Sequence, residues 1–88
     1  MAPSELLLLT RAECELCEQM LSALQMLGRR VALPPIRLVD VDVDGDPQLV
    51  RRYGLKVPVL LLEGSPVCSG RLDEGELLTA LRAPARSG

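Results

Sequence analysis

The chain has no histidine, no phenylalanine and no tryptophan, and Tyr53 is its only aromatic residue. A protein that stacks bases or sugars on aromatic rings lacks its parts here, so nucleic acid is not an expected partner. The charge balance agrees. The net charge is −2, and Arg29/Arg30 and Arg51/Arg52 are the only adjacent basic pairs, which read as ends of solvated helices rather than a phosphate-binding face. Long apolar runs are missing as well. Leu6 to Leu9 is too short for a signal-peptide core or a membrane span, and the stretch MAPSE before it lacks the positive region that opens a secretory signal. A cytoplasmic protein with no membrane association is the expectation. The three cysteines are an odd count for a secreted disulfide framework, which makes a purely structural staple the weakest use for them. Without histidine, and with Cys68 as the sole other thiol, a closed four-ligand zinc site around Cys14 and Cys17 would need a carboxylate or a second chain. No metal is assigned.

What is present is enough apolar material for one aliphatic core: 48% of the 88 residues are hydrophobic and 25% are charged. That balance predicts a single globular domain over residues 1–88, with an ordered core over about 5–82. The run ELLLLT reads as a buried strand from Glu5 to Leu9. From Cys14 the apolar positions Cys17, Met20, Leu21, Leu24 and Leu27 fall on one helix face, and Gly28 is the natural stop. IRLVDVDV alternates from Val39 onward, which predicts a second strand half buried at a sheet edge, joined to the first by a right-handed crossover and parallel to it. Asp46 and Pro47 start a short helix that Gly54 ends. VPVLLLEGSPVCSG predicts a hairpin with a Glu63-to-Pro66 turn, and Cys68 alternates with Val67 on its second strand as a buried, inert thiol. Asp73 caps a last helix with Leu77, Leu78 and Leu81 on its buried side, ended by Pro84 and followed by a frayed ARSG tail.

Two cysteines three positions apart on a helix carry both sulfurs on one side, within reach of a disulfide. The element order β-α-β-α-β-β-α sets this Cys14-x-x-Cys17 pair where the first strand passes into the first helix. Together with GLKVPV before the hairpin and the Gly70-to-Asp73 segment after it, that order resembles the thioredoxin-like fold in its small glutaredoxin-like form. The resemblance implies an α/β architecture with a mixed four-stranded sheet in the order 2-1-3-4, flanked by helices.

It also implies an activity: thiol–disulfide exchange through a Cys14–Cys17 dithiol/disulfide couple, in a monomer that acts on protein or small-molecule disulfides. Cys14 stands where the first helical amides are unpaired and the helix dipole is positive, which favours thiolate, so it is the expected nucleophile. Cys17, a turn deeper on the apolar face, is the expected resolving thiol. Val57-Pro58 matches the cis proline of such proteins, whose preceding backbone pairs with an extended peptide or glutathione. Arg11, Gly70 and Asp73 match positions that hold glutathione carboxylates, although Asp73 is equally an N-cap and SGRL does not reproduce the family's Gly-Gly. No cofactor is required, and glutathione is a candidate reductant that the sequence does not single out. The alternative from another class is an iron–sulfur cluster carrier in which two protomers each give Cys14. Glu13, Glu15 and Glu18 oppose thiolate formation and set this loop apart from the C-P-Y-C pattern. The aspartates of DVDVDG imitate a calcium loop but meet Arg51 where its twelfth-position glutamate belongs, so they read as the solvent face of an edge strand.

Overall fold

The computed structural model describes residues 5–43 and 46–82. Its elements follow the expected order: β1 (Leu6–Thr10), α1 (Glu15–Leu27), β2 (Ile36–Asp40), α2 (Pro47–Tyr53), β3 (Val59–Leu62), β4 (Ser65–Ser69) and α3 (Glu74–Arg82). The four strands form one sheet in the order β2-β1-β3-β4. β1 runs parallel to β2, with Leu9 opposite Val39, and antiparallel to β3, with Leu9 opposite Val59.

Four consecutive leucines open the chain's first strand because that strand is covered on both faces. Leu6 and Leu8 join Met20, Leu24 and Leu27 of α1 and Leu77 of α3 in one cluster. Leu9 packs on the other side with Val39, Val59 and Leu61, and Leu7, Leu49, Val50 and Tyr53 close that cluster from strand and α2. β3 divides in the same way, Leu60 facing the first cluster and Val59 and Leu61 the second. The result is a three-layer arrangement with α1 and α3 on one face of the sheet and α2 on the other.

Three local expectations are corrected. The second strand ends at Asp40 rather than continuing through Val43. The Asp40 carboxylate accepts from the Asp42 amide at 2.8 Å, and the Val43 amide bonds back to the Asp40 carbonyl at 3.1 Å, so the chain turns there. The alternation is a turn whose one inward side chain, Val41, is buried. The hairpin turn is tighter than expected. Glu63 (φ 51°) and Gly64 (φ 83°) make it alone, and Ser65 and Pro66 already belong to β4, an edge strand where proline's missing donor costs no ladder bond. Finally, Cys68 does not alternate with Val67. The β3–β4 register shifts between Leu60 and Leu61, and this bulge lets both residues pack against the α1/α3 cluster.

The capping assignments agree with the structure. Asp46 accepts from the Gln48 amide at 2.8 Å, and Asp73 accepts from the Glu76 amide at 3.0 Å. Leu77 is fully buried on α3, and Leu81 packs partly against the core. The proposed stop at Pro84 and the tail after it lie outside the described residues, as do Asp44 and Gly45.

Candidate functional site

The register brings four segments to one end of the sheet. β1 ends at Thr10 beside the end of β2 at Asp40, and its partner β3 begins there at Val59. The segments are therefore residues 10–14, 40–43, 55–58 and, through the pairing of Val59 with Ser69, residues 69–73. Two backbone bonds tie them together. The Val41 amide donates to the Thr10 carbonyl at 2.9 Å, and the Gly70 amide to the Pro58 carbonyl at 2.8 Å.

Cys14 is the N-cap of α1, with an extended backbone, and its sulfur accepts from the Cys17 amide at 3.1 Å. It thus occupies one of the unpaired donors at the positive end of a thirteen-residue helix. Cys14 and Cys17 are joined as a disulfide with their Cα atoms 5.1 Å apart, inside the range such bonds span without backbone movement. The two sulfurs differ in access. Cys14 is half-buried, whereas Cys17 is 4% exposed and belongs, with Met20 and Leu24, to the buried residues of α1. Glu13, just before the pair, has a left-handed backbone (φ 56°), which a residue with a Cβ adopts at some cost. Glu13, Glu15 and Glu18 are all exposed.

The Val57-Pro58 peptide bond is cis. Among the described residues, no hydrogen bond of the loops, turns or caps uses the amide or carbonyl of Val57. Gly70 (φ 78°) turns the chain beside Pro58, and a side chain built on it would meet open space. The remaining two expected residues stand at the same end of the sheet but are engaged internally. Arg11 donates through Nε to Asp42 Oδ2 at 2.9 Å, and the Asp73 carboxylate serves as the α3 cap. Asp42 was not singled out by sequence reasoning. The signal was the Asp-x-Asp spacing, which holds Asp42 by its own amide and aims its carboxylate across to Arg11.

Cys68 stands apart from the pair as a partly buried free thiol. Burial pushes its pKa up, a hydrogen bond from the Asp73 backbone opposes the rise, and the charges of Asp73 and Glu76 add to it. Among the described residues no group of three or more His, Cys, Asp or Glu converges to hold a metal ion. Nor is any helix of the described residues long and apolar enough to cross a membrane.

Sequence reasoning also passed over a groove of about 190 Å³ between α1 and the loop after β4. Leu16, Met20 and Ala23 line it from the helix, and Gly70, Arg71 and Leu72 from the loop. Leu16, the residue before Cys17, is 51% exposed, so the groove reaches the residue adjoining the cysteine pair.

The chain is similar to several proteins of this architecture. The solution structure of protein Ne2328 from Nitrosomonas europaea has a TM-score of 0.76 and 28% identity, covering 91% of this chain and 93% of that one. The X-ray structure of XcR50 from X. campestris is 34% identical with a TM-score of 0.64, covering 90% of this chain and 99% of that one. The germline-specific thioredoxin Deadhead from Drosophila melanogaster shares the fold at 24% identity and a TM-score of 0.53, over 90% of this chain and 78% of its own. No curated protein matches the sequence. The family described as Glutaredoxin-like domain (DUF836) matches residues 5–82, a span that takes in every described residue, and with the thioredoxin-like topology and the paired cysteines it follows that the chain belongs to that glutaredoxin-like family.

Proposed function

We propose that the protein is a thiol–disulfide oxidoreductase working through Cys14 and Cys17. The observation that carries this reading is the asymmetry of the pair: a half-buried sulfur at a helix N-cap bonded to one that is 4% exposed. In the reduced protein the Cys14 thiolate attacks one sulfur of a substrate disulfide and expels the other as a thiolate, leaving a mixed disulfide. Cys17 then loses its proton and attacks the Cys14 sulfur. The second substrate thiolate leaves, the substrate has gained two electrons, and the protein holds the Cys14–Cys17 disulfide. The amide and carbonyl of Val57, which no loop, turn or cap hydrogen bond uses among the described residues, support an extended substrate segment near the cysteine pair.

The cycle needs no cofactor and proceeds in a monomer. A thiol such as glutathione reduces the disulfide between turnovers, and a cytoplasmic setting, where thiols are kept reduced, suits it. Arg11 and Asp73 are engaged with Asp42 and with the α3 amides, which argues against tight retention of glutathione carboxylates at those two positions.

Trapping tests the assigned roles. In a Cys68→Ala background, Cys17→Ser should accumulate a mixed disulfide at Cys14 when offered a disulfide substrate, read by intact mass. Cys14→Ser should accumulate none, because the remaining thiol is buried. Equal trapping by both variants would remove the nucleophile assignment.

A further inference from the structure

The groove that begins at Leu16, the residue before Cys17, points to the substrate class. Leu16, Met20 and Leu72 give it an apolar lining beside the exposed Gln19, and Leu16 keeps half its surface in water although it adjoins Cys17 in the chain. Leaving a leucine so exposed forgoes burial that a partner's side chain would restore. Leu16 is not alone. Of the five large apolar side chains exposed among the described residues, Leu16, Val43 and Leu55 lie in or beside the segments that meet at this end of the sheet. Leu55 is 98% exposed, three residues before Pro58. A ligand the size of a tripeptide covers one such side chain, whereas a protein surface covers several. The groove also has a charge. Arg71 lines it, is exposed, and makes no ion pair with any described carboxylate, while the neighbouring Glu74 is taken by Arg30 at 3.1 Å.

We infer that this groove receives an extended segment of a protein disulfide substrate, with an apolar side chain next to the reacting cysteine resting on Leu16 and an acidic side chain facing Arg71. The inference rests on the oxidoreductase reading and makes Leu16 and Arg71 its specificity-determining residues. The chemistry is the exchange already written: two electrons pass from the Cys14/Cys17 dithiol to the substrate disulfide, whose two sulfurs leave as thiols. Gly70 contributes by leaving space over the loop, since no atom lies within 4 Å of where its Cβ would stand.

The test is single-turnover reduction by pre-reduced protein, freed of reductant, of symmetrical disulfides made from short blocked peptides Gly-Cys-X-Z-Gly. X is leucine or serine and Z is glutamate or lysine, and glutathione disulfide is the comparator. Wild-type protein should reduce the leucine peptides at least about tenfold faster than the serine ones, the discrimination an apolar pocket gives. It should prefer glutamate to lysine by a few-fold, and reduce glutathione disulfide more slowly than the leucine–glutamate peptide. Leu16→Ser should abolish the leucine-to-serine ratio, and Arg71→Glu should invert the glutamate-to-lysine ratio. Ratios within one variant cancel any general change in dithiol reactivity, and circular dichroism checks that each variant is folded. Equal rates for all peptides in the wild type, or ratios that survive both substitutions, would overturn the groove assignment while leaving the exchange chemistry standing. Reduction of none of the disulfides would overturn the oxidoreductase reading, and the groove assignment with it.

Discussion

Two glutamates flank Cys14, and Glu13 holds a left-handed backbone to let the next residue cap the helix. Their exposed carboxylates oppose the charge that the helix terminus favours on Cys14. Replacing Glu13 and Glu15 by Gln should therefore increase the rate at which reduced Cys14 reacts with iodoacetamide near neutral pH. Exposed charges act at about 1 kcal/mol or less, so the gain should stay within roughly fivefold and shrink in high salt. An unchanged rate would leave the acidic turn as an ordinary solvated helix start. The third cysteine carries a pH dependence of its own. Burial, first of all, raises the Cys68 pKa above its ordinary 9.0. The unfolded chain then loses this proton before the folded one does, so the stabilising difference is complete below that value and declines as pH rises through the folded pKa. Between about pH 8 and pH 10, reduced wild-type protein should lose more unfolding free energy than Cys68→Ala, read from urea midpoints. Parallel losses would contradict the burial argument.

At the scale of elements, the strands and helices were legible because the core has two faces and the sequence carries both periods. The helix face Cys17, Met20, Leu24, Leu27 and the all-apolar β1 are direct consequences of burial. What sequence did not disclose were the local hydrogen bonds that override a pattern. The aspartates of DVDVDG alternate like a strand, yet Asp40 bonds the Asp42 amide and turns the chain. The bulge that sets Val67 and Cys68 on one side leaves no trace in residue type. The same turn ties the loop after β2 to the loop before α1 through Asp42 and Arg11, whose side chains are 53% and 36% exposed. Asp42→Asn should free the guanidinium at little cost to stability, under about 1 kcal/mol. Reduction of glutathione disulfide, which is anionic, should then accelerate by a few-fold relative to an uncharged disulfide, and the gain should fade as salt is raised. An unaltered ratio would mean that Arg11 does not reach the substrate path.

For the whole molecule, the strand order explains why four distant segments make one site. With β1 between β2 and β3, the loops after β1 and β2 and the loop before β3 fall at one end, and the hairpin returns the 69–73 segment to it. The cysteine pair and Val57-Pro58 could be read from the sequence because their spacing and flanks mark them. The groove between Leu16 and Arg71 could not, since it exists only where α1 passes the loop after β4. A redox equilibrium separates a working Cys14–Cys17 couple from a structural staple. The protein would be equilibrated in glutathione and dithiothreitol buffers of graded potential, its thiols alkylated, and the modified cysteines located by mass spectrometry. A working couple should show one two-electron transition involving Cys14 and Cys17 only, with a midpoint between roughly −300 and −120 mV, the span of exchanging dithiols. A pair that stays oxidised well below about −300 mV, as structural disulfides do, or that never oxidises across the series, would contradict it.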